Sequence, residues 1–211
     1  MDKTLLMTAS AVVAALAMTA CSEAPKPAPE TKAAEAKKEP PKPPEPVAAQ
    51  TAFYEMYKPA RAWATDALPL SLSSDEVPSL KNEGGKAAKW VAVFVSPGRR
   101  EARTFSYSAV DDGVNTRKGV TAGGAQSWSG ATPKSRPFQT TEFVVNSDAA
   151  YATALAKAGA WVKKHPDKKV GLLLGSSSKF PAPVWMVIWG NTKSGYMVYV
   201  NATSGTVVGG K

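Results

Sequence analysis

The sequence predicts an α+β fold: two helix-plus-three-strand repeats forming an antiparallel sheet, with the helices packed on one face. Three observations predict it. Two segments carry apolar residues at a 3-4 spacing, and each is followed by short apolar or alternating runs. The two helical segments end alike, "ARAW" at residues 60–63 and "AGAW" at 158–161. A Trp-led apolar run follows each, at Trp90 and at Trp185.

Taken in order, Thr51 is a plausible N-cap for "TAFYEMYKPARAWATDA", whose apolar groups fall at Phe53, Tyr57, Ala60, Ala64 and Ala67. Pro59 lies inside this pattern and is expected to kink or split the helix. "LPLSLSS" (68–74) reads as a short strand at a sheet edge. In "KWVAVFV" (89–95) both faces are apolar, as in a strand covered on both sides. "SPGR" makes a turn, and Phe105, Tyr107 and Ala109 then alternate with small polar residues, as in a half-buried strand ending at Asp112-Gly113. Residues 114–137 read as a long loop and "FQTTEFVV" (138–145) as a strand. Ser147 or Asp148 caps the second helix, which has Lys163 and Lys164 in its last turn and stops before Pro166. Strands follow at 169–174, 185–189 and 196–200. The pseudo-repeats span about 51–113 and 147–211. "FSYSAVDDG" (105–113) parallels "MVYVNATSG" (197–205).

The first fifty residues read differently. Lys3 precedes an apolar run at 5–17, too short to span a bilayer, which needs about 20 residues, but of signal-peptide length. The run meets "MTAC" (18–21), which resembles a bacterial lipobox: Thr19, Ala20 and Cys21 match, and Met18 stands where Leu is usual. The resemblance implies a lipoprotein signal peptide over 1–20 and a lipidated Cys21 as the mature N-terminus, carrying acyl (palmitate-type) chains. Each buried CH2 adds about 0.8 kcal/mol to such an anchor. Cys21 is the only cysteine, so an exported chain has no internal disulfide to give it. Residues 22–50 hold eight Pro, five Lys and five Glu and cannot bury enough apolar surface to order themselves. They read as a disordered tether, stiffened toward polyproline II and reaching on the order of 90 Å when extended. The absence of Asp after Cys21 favours the outer membrane, facing the periplasm.

The net charge of +9 resides in residues 51–211, which hold 20 Lys+Arg against 11 Asp+Glu. A basic domain in a cell envelope attracts anionic lipid, lipopolysaccharide and wall polymer, while scattered cations also serve solubility. Nucleic acid is not an expected partner.

"VWMVIWGNTKSGYMVYVNATSGTVVGG" resembles the end of a PepSY-like domain: an apolar strand, a turn, and a strand running into a "D-A-x-T-G-x-V"-type turn, here 201–207 with Asn201 in the Asp position. The resemblance is strongest over 147–211. It implies an exported or membrane-attached, non-catalytic module that binds or inhibits a protein partner, presented here in tandem by a lipoprotein.

Candidate chemistry is sparse. One His and one Cys exclude a Cys/His metal cluster, and no cofactor or metal is expected. His165 reads as a helix-end residue before Pro166. "SSSK" (176–179) and "KSG" (193–195) have the spacing of a Ser-x-x-Lys nucleophile motif and its companion, but Pro181 and Pro183 forbid the helix such a serine opens. Asp111-Asp112 reads as turn chemistry. Trp185, Val187 and Trp189 share one strand face, as core or as a stacking platform. Trp128 stands in a polar stretch near Arg117, Lys118, Lys134 and Arg136, as an amphipathic interface anchor does. The expected contact surface is Trp128, Arg99, Arg100, Arg117, Lys118 and Arg136. The expected function is a binding module for an envelope protein, in an inhibitory or assembly role. The alternatives are a binder of anionic glycan or lipid and an envelope enzyme.

Overall fold

The computed structural model describes residues 43–113 and 116–211. The expected signal peptide (1–20), Cys21 and most of the expected tether lie outside the described residues.

Among the described residues, two α-helices and eight strands follow in the order α1 (Ala49–Trp63), β1 (Leu68–Asp75), β2 (Lys89–Ser96), β3 (Glu101–Ser108), β4 (Gly119–Ser127), α2 (Ser147–Lys164), β5 (Val170–Gly175), β6 (Val184–Trp189), β7 (Tyr196–Asn201) and β8 (Val207–Gly210). All eight strands form one antiparallel sheet in the order β4-β3-β2-β1-β5-β6-β7-β8. The chain therefore builds outward twice from the β1–β5 pair, once in each direction.

Several expectations are corrected. Each helix is followed by four strands rather than three, because β4 occupies the expected 114–137 loop and β8 closes the chain. β4 escapes a periodicity reading because "GVTAGGAQS" has hardly any apolar side chains and is exposed over most of its length. β1 is not an edge strand: it pairs with β2 on one side and β5 on the other. Pro69 is tolerated there beside a register irregularity at 69–71, where the ladder is already interrupted. Residues 138–145 form no strand. They hold a 3-10 turn at Thr140–Glu142, closed by a reciprocal Gln139/Glu142 capping box. In β2, Trp90, Ala92 and Phe94 are buried in the same cluster as the helices, while on the other face Val91 and Val93 are half-buried and Val95 is fully buried.

α1 runs through Pro59 without a break and begins at Ala49, not after a Thr51 cap. Its first-turn amides, which have no partner within the helix, are satisfied from elsewhere: Ala49 N–H donates to Ser147 Oγ (2.8 Å) and Gln50 N–H to Asn146 Oδ1 (3.0 Å). The second helix thus caps the first across a separation that no local reading reveals. The chain also joins the domain before residue 51, through the Val47–Ala87 bridge and the buried Ala49.

One buried cluster holds Phe53 and Met56 from α1, Ala150 and Ala154 from α2, and Trp90, Phe94, Trp185 and Val200 from the sheet. Correspondences recur within it. Buried Ala49, Ala52, Met56 and Ala60 of α1 stand at the same 98-residue offset from Ser147, Ala150, Ala154 and Ala158 of α2. Trp90 Nε1 donates to Val47 O (2.9 Å), two residues before α1, and Trp185 Nε1 to Val145 O (2.8 Å), two residues before α2. The two indoles meet edge to face at 6.2 Å. Trp90 opposes Tyr107, and Trp185 opposes Val200. The strings "FSYSAVDDG" and "MVYVNATSG" therefore match one residue out of the expected register, since that alignment sets Tyr107 against Tyr199. A slip of one flips a side chain to the other face, so letter similarity cannot fix it.

Candidate functional site

The expected contact residues fall into three places. Arg99 and Arg100 form the β2–β3 turn, where Arg100 takes a left-handed φ of 55°. Trp128, just past β4, is half-buried and donates its backbone N–H to Arg100 O (2.9 Å), so these three come together. Arg117 and Lys118 are exposed at the opposite end of β4, because Gly119 pairs with Ser108 while Ser127 pairs with Glu101. Arg136 lies in another loop, beside Ser176 at the end of β5.

The β2–β3 turn is held by Asp66. Its carboxylate accepts from Ser96 Oγ (2.6 Å) and Gly98 N–H (2.7 Å). These bonds, the Ser96 hydroxyl first, hold the Asp66 carboxyl below its ordinary value. The Arg99 guanidinium lies 6.0 Å from the Trp63 ring centre. The arrangement presents two arginines on a fixed turn beside the Trp63 indole, which suits contact with an acidic or aromatic surface.

Two hollows meet at the same end of the sheet, where β5 ends and β6 begins. One, ≈540 Å3, is lined by Arg136, Gln139, Glu142, Ser176 and Lys179. The other, ≈350 Å3, is lined by Leu70, Leu173, Val184, Met186, Phe180 and Tyr199, and shares Ser176, Lys179 and Phe180 with the first. The loops that wall them are tied together: Arg136 N–H donates to Ser176 O (3.0 Å) and Ser178 N–H to Pro133 O (2.9 Å). Lys179 Nζ sits 5.1 Å from the ring centres of both Phe180 and Tyr199. Lys134, Arg136 and Lys179 take part in none of the ion pairs among the described residues. Of these, residue-by-residue reading singled out only Arg136 as a contact. Phe180 and Tyr199 were hidden because a loop and two strands must come together before they share a wall. The polar "SSSK" loop was the available signal.

A third hollow, ≈760 Å3, lies between the β1–β2 loop and the start of β5. Its Lys169 is already paired with Glu76, so it offers less unsatisfied charge.

The remaining candidates have structural places. Trp185, Val187 and Trp189 are buried in the core and form no open platform. Asp111 accepts from Gly113 N–H and Asp112 from Thr116 N–H, ordinary turn bonds. His165 lies against the Trp161 ring, with 4.2 Å between centres. "SSSK" and "KSG" sit at opposite ends of β6, since one precedes it and the other follows it. Among the described residues no three His, Cys, Asp or Glu side chains gather as a metal site, and no helix is long and apolar enough to cross a membrane.

The fold and site thus define an α+β domain with one eight-stranded antiparallel sheet and a cationic cleft at one end. No family model and no curated protein matches the chain. Among solved structures, a protein from Clostridium difficile 630, provisionally described as a lipoprotein, is similar at 11% identity with a TM-score of 0.45, over 76% of this chain and 91% of that one.

Proposed function

We propose that this chain is an exported lipoprotein, anchored through Cys21 to an envelope membrane, most naturally the outer membrane facing the periplasm. Its domain is two PepSY-like halves, helices on one face, and it serves as a non-catalytic binding module for an envelope protein in an inhibitory or assembly role. The Cys21 position after a short apolar run supports the anchor. The shared burial pattern of α1 and α2 and the paired indole bonds to Val47 and Val145 support the two halves.

The observation that carries the binding reading is the concentration of cations at one end of the sheet: Arg99 and Arg100 on their turn, and Lys134, Arg136 and Lys179 around the cleft. Fixed loops with charge left over suit recognition. A nucleophile mechanism finds less support, because Lys179 rests on two aromatic rings and the companion motif lies beyond β6. The test is a pull-down from envelope extract with the full-length chain in detergent, washed at low and high salt. A salt-resistant protein band supports the reading; turnover of an envelope substrate without a retained partner overturns it. Mass spectrometry of the mature chain tests the anchor, and an unmodified Cys21 thiol removes it.

A second reading, binding of anionic glycan or lipid, draws on the +9 charge. It predicts capture lost steeply as salt rises.

A further inference from the structure

We infer that the double hollow at the end of β5 is a capture site for the C-terminus of a polypeptide whose last side chain is apolar. The inference rests on the protein-partner reading and names the element of the partner that is held.

The two hollows differ in chemistry. The smaller one is floored by Leu173, Met186 and Tyr199, which stand opposite one another across β5, β6 and β7. They point away from the buried cluster, since their neighbours Leu172, Leu174, Trp185, Val187, Val198 and Val200 fill it. The result is an apolar recess of ≈350 Å3, near the lower end for a ligand pocket. It accommodates a side chain and its adjoining backbone.

At its mouth the chemistry changes. Lys179 belongs to both hollows, Lys134 to the recess and Arg136 to the polar side. Each is exposed and outside the ion pairs among the described residues, so a carboxylate arriving there displaces no acidic partner. Charge-assisted bonds from lysine and arginine to a carboxylate are roughly twice as strong as neutral ones. The cleft walls are already fixed by the 133–136 and 176–178 cross-loop bonds, which reduces the ordering cost of binding.

Glu142 decides between occupants. It lines the polar hollow, and its Oε2 already accepts the Gln139 amide (2.7 Å). A second carboxylate oxygen remains to accept a peptide N–H. A polymer bearing a charge on every unit meets repulsion from Glu142 one step from the cations. A peptide end carries one terminal carboxylate followed by backbone N–H groups, which matches both signs of charge.

The test uses the full-length chain in detergent and short synthetic peptides ending in leucine, measured by fluorescence anisotropy. Free-acid peptides are expected to bind, with C-terminal amidation weakening them about tenfold or more. A terminal Gly or Asp in place of leucine should weaken them comparably. Lys179→Gln and Arg136→Gln should each lose about tenfold. Both side chains are exposed, so unchanged thermal melting of these variants confirms that the fold is retained. Equal binding of acid and amide, or binding indifferent to both substitutions, overturns the inference. So does preference for wall polymer or anionic vesicles over peptide at this cleft. If the pull-down still retains an envelope protein that neither substitution nor excess free-acid peptide releases, the protein-binding reading stands and this one falls.

Discussion

The β1–β2 loop and the β5–β6 loop occupy corresponding places, each joining the first two strands after a helix, yet they are built in opposite ways. The first closes over itself. Val77, Ala88 and Val110 form a small buried cluster with Leu80 against it. Asn82 staples the loop, donating to Asp75 O (3.1 Å) and accepting from Ala88 N–H (2.8 Å). Gly85 passes against the start of α2 so closely that a Cβ would lie 2.6 Å from Ser147 O. The second loop buries little of its own and is tied down by backbone and hydroxyl bonds to residues 133–136. Its Lys179, Ser176 and Ser178 face the cleft. In the first loop the side chains serve the fold; in the second the backbone holds position and the side chains are left for a ligand.

Substitutions can break or sharpen that contrast. The largest effect is expected at Gly85→Ala. Its φ of +82° and the backbone atoms at 2.6 and 2.7 Å leave no relaxed position for a methyl group. Strain and overpacking together should cost about 3 kcal/mol or more, read by urea unfolding. Next, Trp90→Phe and Trp185→Phe each remove one indole bond and some volume from the core. Each should cost about 2 kcal/mol, and by similar amounts if the halves are equivalent. A difference of several kcal/mol between them would count against that equivalence. Asn82→Ala strips the staple from the first loop at about 1–2 kcal/mol, seen as a lower melting temperature.

The β2–β3 turn gives a pH effect with a definite sign. Asp66 has a folded value below its ordinary 3.8 because the Ser96 hydroxyl and Gly98 amide stabilise the carboxylate. Its contribution is therefore complete above the ordinary value and disappears as pH falls through the depressed folded value. Hydrogen exchange at the Gly98 amide should show steady protection from neutrality down to about pH 4 and weaken below it. Asp66→Asn should abolish that step. The smallest stability effect is expected at Lys179→Gln and Arg136→Gln, within about 0.5 kcal/mol, because both are exposed. Loss of ligand with little loss of stability is the signature that separates the second loop from the first.

Where periodicity was strong, the sequence was sufficient. β2, β5, β6, β7 and α2 stand within a residue or two of their predicted limits, because alternation and 3-4 spacing are local consequences of which face is buried, whereas β3 runs earlier than its alternating stretch, from Glu101 to Ser108. The one-residue extra reach of β7 and the start of α2 at Ser147 are differences of that size. The sequence by itself also determined the charge, the single cysteine after a short apolar run and the absence of Cys/His cluster chemistry. Tertiary structure alone decided the rest. β4 is a strand because β3 offers it a partner, not because its small residues prefer extension. α1 starts at Ala49 because Ser147 and Asn146, nearly a hundred residues away, accept its amides. Lys179, Arg136 and Tyr199 share a cleft only once β5, β6 and β7 lie side by side. A pattern along the chain encodes which side of an element is wet. Which elements meet is a matter of long-range pairing, and that is settled only when one buried cluster forms from both halves.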